Sequence, residues 1–121
     1  MDFLTDRPQQ VVVDNEISDV APVTSGVPQG SALGPFLFLT FINDMPECVT
    51  SQFCLFADGS IIYHTISGER DANALQTDLQ ALEKWEANWG MGFNQSKCNI
   101  TNVSWKKNPW NLTYTLKDTL L

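Results

Sequence analysis

Hydrophobic and polar positions alternate along this chain in two different periods, and the switch between them predicts the elements. Gln9-Gln10-Val11-Val12-Val13-Asp14 is a short apolar run closed by the polar turn Asp14-Asn15-Glu16, the pattern of a strand. A loop with two prolines follows. From Ser31 to about Met45 the residues Leu33, Leu37, Phe41 and Met45 recur every fourth position, with Phe36, Phe38 and Ile42 widening the stripe, which predicts a largely buried helix. Pro35 falls in its first turn, where a missing N–H costs little.

The period then changes. Gln52-Phe53-Cys54-Leu55-Phe56 and Ile61-Ile62-Tyr63-His64-Thr65-Ile66 are rich in aromatic and β-branched residues, and Asp58-Gly59 lies between them, so a β-hairpin is predicted with Asp58-Gly59 as its turn. The helical period returns from Glu69 to Trp89, where Ala72, Leu75, Leu79, Leu82, Trp85 and Trp89 form one stripe. Glu69 and Asp71 suit its N-terminal dipole, and Gly90 is placed to end it. The tryptophan pair reads as core packing. Cys98 to Trp105 and Tyr114 to Leu116 read as strands, with a bulge between Ile100 and Val103 where the apolar phase slips. This order predicts an α+β fold: an antiparallel sheet with a β-hairpin, packed against two helices on one face.

Composition sets the outer limits. A chain of 121 residues with 43% hydrophobic content suits one globular domain over residues 1–121. The longest apolar run, Phe36 to Ile42, is far shorter than the ~20 residues a bilayer span needs. The start Met1-Asp2-Phe3-Leu4 lacks the basic residues of a secretory signal, so an intracellular location is expected. Cys48, Cys54 and Cys98 form no Cys-x-x-Cys pair, which suits a reducing compartment better than a zinc site. Net charge is −7. The acidic total argues against strong nucleic-acid binding by the isolated chain, and only the C-terminal quarter, with Lys97, Lys106, Lys107 and Lys117 against Asp118, is basic.

Three ordered blocks carry a resemblance beyond this layout. Ser25-Gly26-Val27-Pro28-Gln29-Gly30-Ser31-Ala32-Leu33-Gly34-Pro35, continued by Ile42-Asn43-Asp44-Met45-Pro46, resembles the SGVPQGS…LGP…INDLP block of reverse transcriptases of non-LTR (LINE-type) retrotransposons. Phe56-Ala57-Asp58-Gly59 stands where that family has F/Y-A-D-D. Phe93-Asn94-Gln95-Ser96-Lys97-Cys98 is similar to its later F-N-x-x-K-C block.

The resemblance implies a partial polymerase palm and a role for each matching residue. Gln29 and Gly30 match a segment that lies against incoming nucleotide and template. Phe56 and Ala57 complete the turn motif, and Asp58 matches the first metal-binding Asp. Lys97 matches a lysine near the triphosphate, a proton donor or charge stabiliser for pyrophosphate departure. Family partners are an RNA template, a DNA primer and a dNTP, with Mg²⁺ as cofactor.

Two-metal nucleotidyl transfer needs several carboxylates around the ions. Here Gly59 replaces the second Asp, and the family's upstream Asp, first palm strand and fingers precede the first residue of this sequence. The expectation is a truncated, catalytically inactive palm that binds Mg²⁺ weakly through Asp58. An alternative is a non-enzymatic protein- or nucleic-acid-binding module, with self-association through an exposed sheet edge. A third, extracellular reading rests on the sequons at Asn94, Asn99, Asn102 and Asn111.

Overall fold

The computed structural model describes residues 5–107, 109–110 and 112–121. Its contacts divide the chain into two units, one ending at Thr40 and one running Phe41–Leu121.

The first unit is built on reversal of the valine-rich run. β1 (Pro8–Gln9) pairs antiparallel with β4 (Ala21–Pro22), and β2 (Val12–Val13) with β3 (Glu16–Ile17). Asp14 and Asn15 form the turn at φ 50° and 67°, the left-handed pair a two-residue hairpin requires and that Asp and Asn tolerate best. The predicted strand is thus the outgoing arm of a hairpin, broken at Gln10–Val11, and the expected loop contains its return. Val11, Val12, Val13, Ile17 and Val20 remain exposed.

α1 spans Leu33–Phe41, ending one turn before the predicted Met45. A 3-10 turn over Met45–Cys48 replaces the last stretch, because Pro46 donates no hydrogen bond to continue an α-helix. The expectation of a largely buried helix is also corrected. Leu33, Phe36, Leu39 and Phe41 are exposed and only Gly34 is buried, since apolar residues lie all round this helix.

In the second unit β5 (Gln52–Phe56) and β6 (Gly59–Tyr63) form the expected hairpin. α2 (Glu69–Trp89) coincides with the predicted helix at both ends. Its start is tied by the Asp71 carboxylate, which accepts N–H bonds from Ser67 (2.7 Å) and Gly68 (3.2 Å). Its end turns at Gly90, φ 65°, as a left-handed glycine cap does. Leu79 packs with Tyr114 and Leu116, and Ile62, Leu75, Phe93, Cys98 and Leu112 close around them. Trp85 is buried and edge-on to Phe41, with its indole N–H donating to Asp44 Oδ1 at 3.0 Å, while Trp89 is half exposed.

The C-terminal region departs most from expectation. No strand forms over Cys98–Trp105, so the proposed bulge has no ladder to sit in. A 3-10 turn at Gln95–Lys97 precedes a stretch without ladder pairing. The strand expected at Tyr114–Leu116 is present as β7 (Thr115–Leu116), paired with a β8 (Thr119–Leu120) that short periodicity did not reveal. Across the described residues there are four two-stranded antiparallel ladders in place of one sheet. Among those residues no helix is long and apolar enough to cross a membrane.

Candidate functional site

The block Pro28–Pro35 is shaped by tight backbone geometry. Gly30 has φ 74°, a left-handed conformation that suits glycine. Ser31 Oγ donates to the Pro28 carbonyl (2.8 Å) and accepts the Gly34 N–H (3.0 Å), so one hydroxyl closes the turn and caps α1. Gly34 lies so close to Pro28 that an added Cβ would stand 2.7 Å from its carbonyl oxygen. Gln29 and Gly30 are exposed at the crest of this arch.

The second motif sits at a hairpin tip, with a shifted turn. Phe56 pairs with Gly59, so the two loop residues are Ala57 and Asp58, not Asp58 and Gly59. Ala57 carries the positive φ, 53°, whereas Gly59 has become the first residue of β6. Phe56, Ala57 and Asp58 are exposed, Phe56 at 86%. Among the described residues no group of three or more His, Cys, Asp or Glu is placed to hold a metal ion, at Asp58 or elsewhere. A lone carboxylate on a solvent-facing tip does not fit the oxygen-rich donor set Mg²⁺ requires.

Lys97 ends the 3-10 turn and is exposed. Its segment is anchored from below: Phe93 N–H donates to Glu86 Oε1 at 2.7 Å, and Lys97 N–H to the Asn94 carbonyl at 3.0 Å. Of the sequon asparagines, Asn94, Asn99 and Asn102 are exposed, and Asn111 lies outside the described residues.

Two acidic residues absent from the sequence-derived candidates hold the hairpin and the Lys97 segment. Asp78, 3% exposed on α2, accepts N–H bonds from Thr50 (2.9 Å) and Ser51 (2.8 Å) and the Thr50 hydroxyl (3.1 Å). It thereby fixes the chain where it enters β5. Burial alone would raise the Asp78 pKa, but the hydrogen bonds from Ser51 and Thr50 outweigh it and leave the carboxyl below its ordinary 3.8. At the other end of the hairpin's base, Ser51 Oγ lies 3.1 Å from His64 Nδ1.

Glu86, 2% exposed, accepts from Phe93 and also pairs with Lys117 Nζ at 2.5 Å. The Glu83 carboxylate receives the Lys117 N–H, and Gln76 bonds both the Thr115 N–H (2.9 Å) and carbonyl (3.0 Å), so α2 grips β7 and the turn after it through three side chains. In the sequence Asp78 and Glu86 are spaced among Leu75, Leu79, Leu82 and Trp85, but the groups they bind lie outside the helix and leave no local signal.

Comparison with known proteins agrees with the motifs. The sequence profile of the family described as "Reverse transcriptase (RNA-dependent DNA polymerase)" matches residues 2–116. The RNA-directed DNA polymerase from mobile element jockey of Drosophila melanogaster is 36% identical, over 82% of this chain and 12% of its own length. The probable RNA-directed DNA polymerase from transposon X-element of the same species is 33% identical, over 80% of this chain and 11% of its own. The chain therefore spans about one eighth of the length of these relatives. No solved structure matches it significantly. A profile matched along nearly the whole chain, together with these relatives, places the chain in the reverse transcriptase family, as a part of a non-LTR retrotransposon RNA-directed DNA polymerase.

Proposed function

We propose that the chain is part of the palm of an RNA-directed DNA polymerase and that this copy is catalytically silent. The observation that carries the proposal is the tip of the β5–β6 hairpin: Asp58 is exposed there, followed by Gly59, and the described residues supply no cluster of carboxylates to share a metal ion with it. Nucleotidyl transfer draws on divalent ions to activate the primer oxygen and to steady the pyrophosphate, and one carboxylate does not confine two such ions.

In this reading the remaining motif residues keep positions inherited from an active polymerase. Gln29 and Gly30 form the crest against which nucleotide and template lay, and Gly30 permits close backbone approach there. Phe56 and Ala57 shape the turn that presents Asp58. Lys97 supplied positive charge, or a proton, toward the departing pyrophosphate. RNA template, DNA primer and dNTP are the corresponding partners.

The test is primer extension by the purified chain on an RNA template, with Mg²⁺ or Mn²⁺. No extension above background is expected. Extension that depends on the metal and disappears in Asp58→Asn would overturn the proposal.

A second reading, a binding module, draws support from the same hairpin. β5 and β6 each have an unpaired edge among the described residues, and Phe56, Ile61 and Tyr63 are exposed on them. Unpaired edges favour pairing with another copy. Sedimentation that shifts with concentration is expected on this reading, and a monomer at every concentration removes it.

A further inference from the structure

The segment Asn102–Trp110 leaves large apolar side chains in water, one of them completely. Trp85 is in the core, yet Trp105 is 102% exposed, Val103 is exposed and Trp110 is only half covered. Tryptophan is among the most buried side chains on average, so leaving Trp105 in water forgoes a large apolar burial. Unlike the exposed valines of the first unit, these rings are interleaved with cations. Lys106 and Lys107 follow Trp105 directly, and the Lys106 ammonium lies over the Trp110 ring, 5.9 Å from its centroid.

Local hydrogen bonds give the segment a shape. The Asn102 amide donates to the Trp110 carbonyl at 3.0 Å, drawing the two ends together, and the Lys106 N–H donates to Ser104 Oγ at 3.1 Å, forming a turn just after Trp105. Lys117 is taken up by Glu86, which leaves Lys97, Lys106 and Lys107 as the remaining cations of the C-terminal quarter. In a chain of net charge −7, this is where lysines outnumber acids.

We infer that Trp105, Lys106, Lys107 and Trp110 form a docking surface for single-stranded nucleic acid. Flat, exposed rings stack on unpaired bases of any sequence, and adjacent ammonium groups neutralise the phosphates between them. Duplex is a poorer fit, since its bases are already stacked. The surrounding negative charge makes the interaction weak and confined to low ionic strength. The choice of nucleic acid among anions rests on the polymerase reading, while the assignment to this surface rests on the exposed rings and lysines.

The experiment is a fluorescence-anisotropy titration of a short dye-labelled single-stranded DNA with the whole chain, over a series of salt concentrations. The expected result is salt-sensitive binding that Trp105→Ala weakens about five- to a hundredfold, the range for losing one stacked base. Lys106→Gln with Lys107→Gln should flatten the log–log salt dependence by about 1.4, near 0.7 for each phosphate no longer neutralised. All three side chains are exposed, so these variants fold as the parent does. Absence of binding at low salt overturns the inference. Binding that neither variant alters also overturns it, by moving the nucleic acid to another surface and leaving the polymerase reading intact. Equal binding of anionic vesicles or of polyglutamate, equally sensitive to Trp105→Ala, overturns the choice of nucleic acid. The primer-extension assay decides catalytic silence separately.

Discussion

Replacing Asp78 by alanine should unfold the second unit more readily than any single change at the motifs themselves. The side chain accepts the Thr50 and Ser51 N–H groups at 2.9 and 2.8 Å from a nearly buried position. A hydrogen bond to a charged group contributes about 1.5–3 kcal/mol, and a buried donor left without a partner costs about 1–3 kcal/mol. Thr50 is exposed, so its N–H regains water in the variant. Ser51 is buried, and its N–H does not. Counting the Ser51 bond in full and the Thr50 bond in part gives a loss of about 3 kcal/mol. A domain of this size has about 5–15 kcal/mol in total.

Urea unfolding followed by tryptophan fluorescence measures this, since buried Trp85 becomes hydrated on unfolding. With a slope of about 2 kcal/mol/M, the midpoint should fall by about 1.5 M. Titration supplies an internal control. The folded Asp78 carboxyl titrates below its ordinary 3.8, so its contribution is present above that value. As pH drops through the lowered value the folded state must take up a proton, and the gap between parent and Asp78→Ala should narrow. A stability change below about 0.5 kcal/mol, within the range of ordinary surface substitutions, would refute the argument. So would a gap that widens in acid.

Two further outcomes follow from buried contacts. Lys117→Met should cost about 2 kcal/mol by urea unfolding, less than the roughly 3–5 of a fully buried pair because Lys117 is 43% exposed while Glu86 is 2% exposed, and adding Glu86→Gln should recover part of the loss. Gly34→Ala places a Cβ 2.7 Å from the Pro28 carbonyl oxygen, against rigid backbone. A loss of about 1–3 kcal/mol is expected, and faster proteolysis within residues 25–40 would locate it in the first unit.

Much of the fold was legible in the sequence, for a definite reason. α2 repeats its apolar positions over 21 residues and carries its own stop signal in Gly90, so its bounds follow from local terms alone. The β5–β6 hairpin and the Asp14-Asn15 turn are likewise encoded by short-range chemistry. The motif blocks identified the family without any reference to packing. Three features needed the assembled chain.

The hairpin turn moved to Ala57–Asp58 because register is fixed by the pairing of Phe53 with Ile62 and Leu55 with Ser60, and that pairing overrides the Asp-Gly preference. The expected strand at Cys98–Trp105 does not form because a strand exists only with a partner, and its β-branched residues found none among the described ladders. Asp78 and Glu86 read as ordinary charges on a helix. Their importance arises from Thr50, Ser51, Phe93 and Lys117, which lie elsewhere along the chain and become neighbours only after folding. The sequence by itself determined the helix, the turns and the family, because those depend on residues near one another along the chain. Tertiary structure alone decided register, strand partnership and which carboxylates are buried, because each depends on what another segment brings into contact.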